Sequence, residues 1–334
     1  MRFFKTTMVA ALWLAQGLLT PASAEPAEYV LATGSTGGTY YPVGVALATL
    51  IKVKLQPDDG IGMSALTTAG SGENIRLLHD GQAQFAILQA LYGQDAATGT
   101  GTMEQAGPQT ALRSVAILWP NVEHFVVATA DAKTGTMADL LALAGQPMAL
   151  GAAESGTRGS TLVLLDGLGV KTDAGLSDAD YGAAVAALEA GEVKAISLPG
   201  GDPVGALAEL FASEREAYTL LSFTADEAKT ADAGRGLWSA YTIPADTYAG
   251  QGKELTTIAQ PNFLAVNADV SEDNVYRITR AIFENLPFLQ AIHPATQALA
   301  VDKALAGLPL PLHPGAARYY REIGIEIPDA LISQ

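Results

Sequence analysis

Three glycine-rich turns hold most of the polar residues in this sequence that could do chemistry. They are Gly34-Ser35-Thr36-Gly37-Gly38-Thr39-Tyr40-Tyr41, Gly70-Ser71-Gly72-Glu73-Asn74 and Glu154-Ser155-Gly156-Thr157-Arg158. Each stands where a short apolar run gives way to a helical pattern. Glycine lets the backbone approach a ligand closely, and free N–H groups at a helix start attract anions. In the third turn a hydroxyl pair, a glycine and an arginine meet. Arg158 has the fork geometry to take a carboxylate. Each turn also has a plainer reading: a structural turn, an N-cap at Ser71, a surface arginine beside a capped helix. None is a phosphate loop, since no GxxxxGK or GxGxxG pattern is present. Three such turns say more together than any one does. Ligands of open α/β sheets bind outside the carboxyl ends of the strands, where these turns lie.

The residues that would make such a site catalytic are missing. The 4 histidines, His79, His124, His293 and His313, have no metal-ligand spacing. No HExxH and no GxSxG elbow occurs. Ser71 and Ser155 have no base nearby in sequence, so an exported enzyme using either as nucleophile is disfavoured. Asp58-Asp59 lies in a polar loop, and His313, between Pro311 and Pro314, reads as a packing or capping residue. With 0 Cys, disulfides, thiol catalysis and thiolate metal sites are excluded. Neither a cofactor nor a metal is expected.

The turns need a scaffold, and the pattern around them is α/β. Strands are expected over 28–32, 63–67, 84–89, 115–118, 124–129, 147–150, 193–197 and 263–266. Helices are expected over 39–52, 73–79, 133–145, 157–168, 183–190 and from 271 to 286, with Gly169 as a left-handed stop and Ser271 as an N-cap. This order suits two sheets joined by two crossings, near Val126–Thr129 and Leu264–Val266. The 334 residues suffice for two domains. Hydrophobic residues make up 49% and charged residues 16%, against about 25% charged in an average domain. Disorder is thereby excluded as the main state. The net charge of -16 argues against phosphate backbones and anionic membrane surfaces as partners.

Residues 1–24 read as a secretory signal peptide. Arg2 and Lys5 supply the positive start, Met8–Leu19 the apolar region, and Ala22-Ser23-Ala24 the cleavage site. The mature chain is then expected to begin at Glu25 and to be exported.

Longer stretches of the sequence resemble a known family. ATGSTGGTYYPVGVALA (32–48), GSGENIRLLHDGQAQFAILQ (70–89), GAAESGTR (151–158), YTIPADTYAGQ (241–251), NVYRITRAIFENL (274–286) and LPLHPGAARYYREIGI (310–325) are similar to TAXI proteins. These are the extracytoplasmic solute-binding proteins of one branch of TRAP transporters. The resemblance implies the two-lobed periplasmic-binding-protein type II architecture. Lobe I would take 25–128 and 262–334, and lobe II 129–261. It implies a cleft lined by Gly38, Thr39, Tyr40, Ser71, Asn74 and Gln89 from one lobe. Ser155, Gly156, Thr157 and Arg158 would close from the other, with Pro199 and Gly200 in a nearby loop. Ser197-Leu198 departs from the aromatic or branched residue that the family often has before that loop. The implied ligand is a small organic acid or amino acid, glutamate-like or 2-oxoglutarate-like. It would be enclosed by hinge closure and passed to a TRAP membrane permease by a monomer. A ligand sensor signalling to a membrane receptor is the alternative from another class.

Overall fold

The computed structural model describes residues 26–170, 176–214 and 216–332. The signal peptide expected over 1–24, and Glu25, lie outside them. In chain order the first group of elements is β1 (Ala27–Ala32), α1 (Tyr40–Asp59), β2 (Ile61–Leu66), α2 (Ser71–His79), β3 (Phe85–Gln89), α3 (Ala90–Thr98) and β4 (Leu112–Val122). A second group follows: β5 (Phe125–Ala128), α4 (Met137–Ala142), β6 (Met148–Ala149), α5 (Gly156–Gly167), α6 (Tyr181–Glu189) and β7 (Ala195–Ser197). It continues with α7 (Gly205–Glu214), β8 (Tyr218–Leu221), α8 (Ala225–Asp232) and β9 (Ser239–Ile243). The chain then returns through β10 (Leu255–Asn267), α9 (Glu272–Glu284), α10 (Leu286–Gln290) and α11 (Pro314–Glu322).

These elements build two lobes, each an α/β layer structure. The larger sheet has the order β2-β1-β3-β10-β4, with β9 paired to the start of β10. Its first three strands are parallel, and β10 runs antiparallel between β3 and β4. The smaller sheet has the order β6-β7-β5-β8, with β5 antiparallel to both neighbours.

Local sequence explains the elements that matter for the site. In α1 the buried side chains Val43, Leu47, Leu50, Ile51 and Leu55 recur at three- and four-residue spacing, and Gly60 (φ 68°) ends the helix in the left-handed region. In α9, Val275, Ile278 and Ile282 face the larger sheet's core, and Ser271 caps the start. Gly169 (φ 76°) stops α5, as its sequence position suggests. Along β5, Val126 enters one apolar cluster while Phe125 and Val127 enter another. That period of two means the smaller sheet is covered on both faces.

The structure moves both crossings toward the N-terminus of the positions expected from sequence. Phe125–Ala128 already pairs with β7 and β8, so it belongs to the second lobe rather than to lobe I. Leu264–Val266 lies inside the larger sheet, paired with β3 and β4. The chain crosses instead through Pro120–His124 and Ile258–Asn262, where the two strands run side by side: Val122 faces Ala259 and Asn121 faces Gln260. Ile243, Tyr248 and Ala259 pack on a core cluster of the second lobe, although β9 is hydrogen-bonded to β10. Among the described residues no helix is long and apolar enough to cross a membrane.

Candidate functional site

Five helices begin at one small cavity between the lobes. Tyr40 is the first residue of α1, Ser71 of α2, Gly156 of α5 and Tyr181 of α6, and Gln89 is the residue before α3; all five line it. The cavity volume is about 40 Å³, room for a few water-sized groups. No charged side chain is among its lining residues. The amides of Tyr40, Ser71, Gly156 and Thr157 make no hydrogen bond among the described residues. Each helix start carries roughly half a positive elementary charge from its aligned peptide dipoles. The cavity therefore offers a positive potential made by backbone, suited to a carboxylate or a similar anion.

The side chains that line it are hydroxyls and amides. The Tyr40 hydroxyl donates to Asn262 Oδ1 at 2.5 Å, and Asn262 Nδ2 donates to Asn121 Oδ1 at 3.4 Å. The Tyr181 hydroxyl donates to the Pro199 carbonyl at 2.5 Å, so at 2.9 Å from Thr157 Oγ1 it can only accept. Burial pushes both phenol pKa values above the ordinary range, and both stay neutral. Two buried polar atoms on cavity-lining residues have no partner: Gln89 Oε1 and Asn121 Nδ2. Unfilled buried acceptors and donors of this kind are uncommon in folded proteins.

The lobes meet directly around the cavity. Glu73 N donates to Glu154 O at 3.0 Å, Ala206 N to Gly37 O at 3.0 Å, Thr39 Oγ1 to Gly201 O at 2.9 Å, and the Tyr92 hydroxyl to Ser155 O at 2.9 Å. Glycines make this approach possible. A Cβ on Gly72 would stand 2.4 Å from Glu154 O, and one on Gly156 2.7 Å from Ser71 Oγ. The Arg76–Glu154 ion pair at 3.5 Å adds little, since both side chains are about half exposed.

Of the residues expected from sequence, Gly38, Thr39, Tyr40, Ser71, Gln89, Gly156, Thr157 and Pro199 line the cavity together. Four do not. Asn74 is fully buried and serves as a clamp, its Nδ2 donating to the carbonyls of Thr33 and Ile87 and its Oδ1 accepting from Thr68. The Ser155 side chain caps α5 by accepting from Arg158 N. Gly200 exchanges backbone hydrogen bonds with Val122.

Arg158 is the main correction. Its guanidinium turns away and donates to Gly151 O and Ser177 O, both at 2.8 Å, with Asp178 at 3.7 Å. It ties two loops of the second lobe together and is not placed to hold a carboxylate in the cavity. Sequence reasoning missed Asn121 and Tyr181. Tyr181 follows Asp180, whose side chain caps α6, and that cap was a readable signal. Asn121 sits on a crossing strand and had no local signal.

The family model described as the NMT1-like family matches residues 31–324. Among solved structures, a protein of Bordetella bronchiseptica is similar over 91% of both chains, at 17% identity and a TM-score of 0.53. The periplasmic aliphatic sulphonate binding protein of Escherichia coli is similar over 89% of this chain and 84% of its own, at 17% identity and a TM-score of 0.44. A TctC solute binding protein from Polaromonas is similar over 83% of this chain and 88% of its own, at 16% identity and a TM-score of 0.46.

Proposed function

The chain belongs to the NMT1-like family, and on that premise we propose that it is a solute-binding protein that captures a small carboxylic acid between its lobes. One observation carries this reading: five helix starts meet at an uncharged cavity that both lobes line. An acid there would accept backbone N–H groups of α1, α2 and α5. Asn121 Nδ2 and Gln89 Oε1 would gain their missing partners from the same molecule. The ligand class is a small organic acid or amino acid, glutamate-like or 2-oxoglutarate-like. The lobes part at Pro120–His124 and Ile258–Asn262 to admit it and close through the contacts around Glu154 and Gly201.

In this reading the protein works in the periplasm after removal of residues 1–24, as a TAXI-type protein delivering its cargo to a TRAP permease. Its role is capture rather than turnover, since none of the cavity hydroxyls is paired with a general base.

The test is a thermal-shift screen of the chain from Glu25, unfolded and refolded to strip cargo. The panel holds L-glutamate, 2-oxoglutarate, other C4–C6 dicarboxylates and neutral amino acids. A ligand at about 100 times its Kd adds about 2.7 kcal/mol and raises Tm visibly. A rise with one or more acids supports the proposal. A rise confined to neutral solutes overturns it.

A further inference from the structure

Glu123 is the one buried carboxyl among the described residues that lacks full compensation. It is 1% exposed, and the comparison within the chain is Asp139, 3% exposed. Asp139 accepts backbone N–H groups from Thr134 and Gly135, which hold its pKa below the usual carboxylate value. Glu123 Oε1 accepts from Trp238 Nε1 at 3.0 Å, Glu123 Oε2 makes no well-formed hydrogen bond, and the Trp238 and Gln260 donors only partly offset the burial that raises its pKa. The Gln260 amide stands beside it, and Gln260 Nε2 is also unpartnered. No Lys or Arg is among the groups acting on this carboxyl.

Its position connects it to the cavity. Glu123 lies two residues beyond Asn121, just past the end of β4, where Glu123 N donates to Ile258 O at 2.9 Å. On β10, Gln260 pairs with Asn121, and Asn262 donates from Nδ2 to Asn121 Oδ1 while its Oδ1 accepts from the Tyr40 hydroxyl. The titratable groups around Glu123 are Tyr40 from α1 and Tyr181 from α6, both cavity-lining and both raised further by its charge. His124, next in the chain, is held neutral. Glu123 itself does not line the cavity, so a ligand ammonium would not reach it.

We propose that the cleft takes up a carboxylate ligand together with one proton, and that the proton resides on Glu123. The inference rests on the carboxylate reading above. A ligand anion and an ionised Glu123 would share one buried interior with no Lys or Arg acting on the carboxyl, and like charges in such a medium repel strongly. Protonating Glu123 removes the repulsion. Burial already brings this carboxyl's pKa up to about 7, so the proton is available near neutral pH.

Calorimetric titration tests this, using L-glutamate and 2-oxoglutarate as probes in buffers of low and high ionisation enthalpy. At about pH 8 the heats should differ by close to one proton taken up per ligand bound, and at about pH 6 the difference should nearly vanish. Kd should weaken about fivefold between about pH 7 and pH 8. Glu123→Gln, which keeps the shape and carries no charge, should bind at both pH values with no buffer dependence. Should that variant not fold, the buffer dependence of the parent decides alone. Buffer-independent heats in the parent at pH 8 overturn the proton claim and leave the carboxylate reading intact. A lack of binding by every acid in the screen overturns both.

Discussion

Glu123 and His124 are consecutive, both buried, and they reach different parts of the second lobe. Trp238 Nε1 donates to Glu123 Oε1 at 3.0 Å, while His124 Nε2 meets the Tyr248 hydroxyl at 2.9 Å. Val204 N donates to that hydroxyl, so the hydroxyl gives its hydrogen to Nε2, and Nδ1–H donates to Val122 O. His124 is thus fully satisfied as the neutral ring, whereas Glu123 is not satisfied as the ion.

Opposite pH dependences follow. Burial raises the Glu123 pKa from 4.5 to about 7 and lowers that of His124 from 6.5 to about 4. Native Glu123 keeps a proton that the unfolded chain releases, so its contribution to stability declines as pH rises from about 4.5 to 7. Unfolded His124 takes a proton that the native ring refuses, so its contribution declines as pH falls from about 6.5 to 4. In the shared window the two slopes largely offset each other. Glu123→Gln should therefore be nearly neutral below about pH 4.5 and stabilising above about pH 7, by on the order of 2–3 kcal/mol. Melting curves of parent and variant across this range check the sign; a variant less stable at pH 8 would refute it.

Gly72→Ala should hold the lobes apart. The new methyl would stand 2.4 Å from Glu154 O, the carbonyl that accepts from Glu73 across the cleft. Each lobe keeps its own core, so Tm should change little. Ligand affinity should drop by about tenfold or more, as closure contacts of roughly 1–2 kcal/mol are lost. Small-angle scattering with saturating ligand should show a larger radius of gyration than the parent.

Arg158→Ala should act on stability. It leaves Gly151 O and Ser177 O without their donor, at about 1–3 kcal/mol. Because the guanidinium does not reach the cavity, Kd for any acid identified by the thermal screen should stay within about threefold of the parent, by roughly 0.6 kcal/mol. A loss of binding with Tm unchanged would restore the anchor role that the sequence suggested.

Tyr181→Phe removes the hydroxyl that links Thr157 Oγ1 to Pro199 O. Its ring still covers Gly38, whose added Cβ would lie 3.2 Å from it. The expected effect is a loss of about 1 kcal/mol in ligand binding, or several-fold in Kd, with the fold retained. An unchanged Kd would mean that the hydroxyl does not help shape the cavity.

Much of this fold was legible because its signals are local. A strand, a glycine turn and a helix start can each be read within about ten residues, and the three turns led directly to Tyr40, Ser71 and Gly156. The Thr224 and Glu227 side chains that cap α8 show that further start signals were present and went unread. Arg158 could not be read in the same way. The direction of a long side chain depends on where Gly151 and Ser177 come to rest, which is a tertiary fact. The crossings were misplaced for a related reason. The run from Leu112 to Ala128 is extended on both sides of Glu123-His124, and the sheet that Phe125–Ala128 joins is set by its pairing with β7 and β8, which is again a tertiary fact.

The convergence of five helix starts also shapes how such a site can change. Its attraction for an anion comes from peptide groups, which every amino acid shares. Side-chain replacement would therefore leave much of the attraction in place, and single substitutions in the cleft would weaken binding by several-fold rather than abolish it. New preferences would arise at the few hydroxyls and amides around the rim, while the capacity to hold an acid persists for as long as the helices keep their aim.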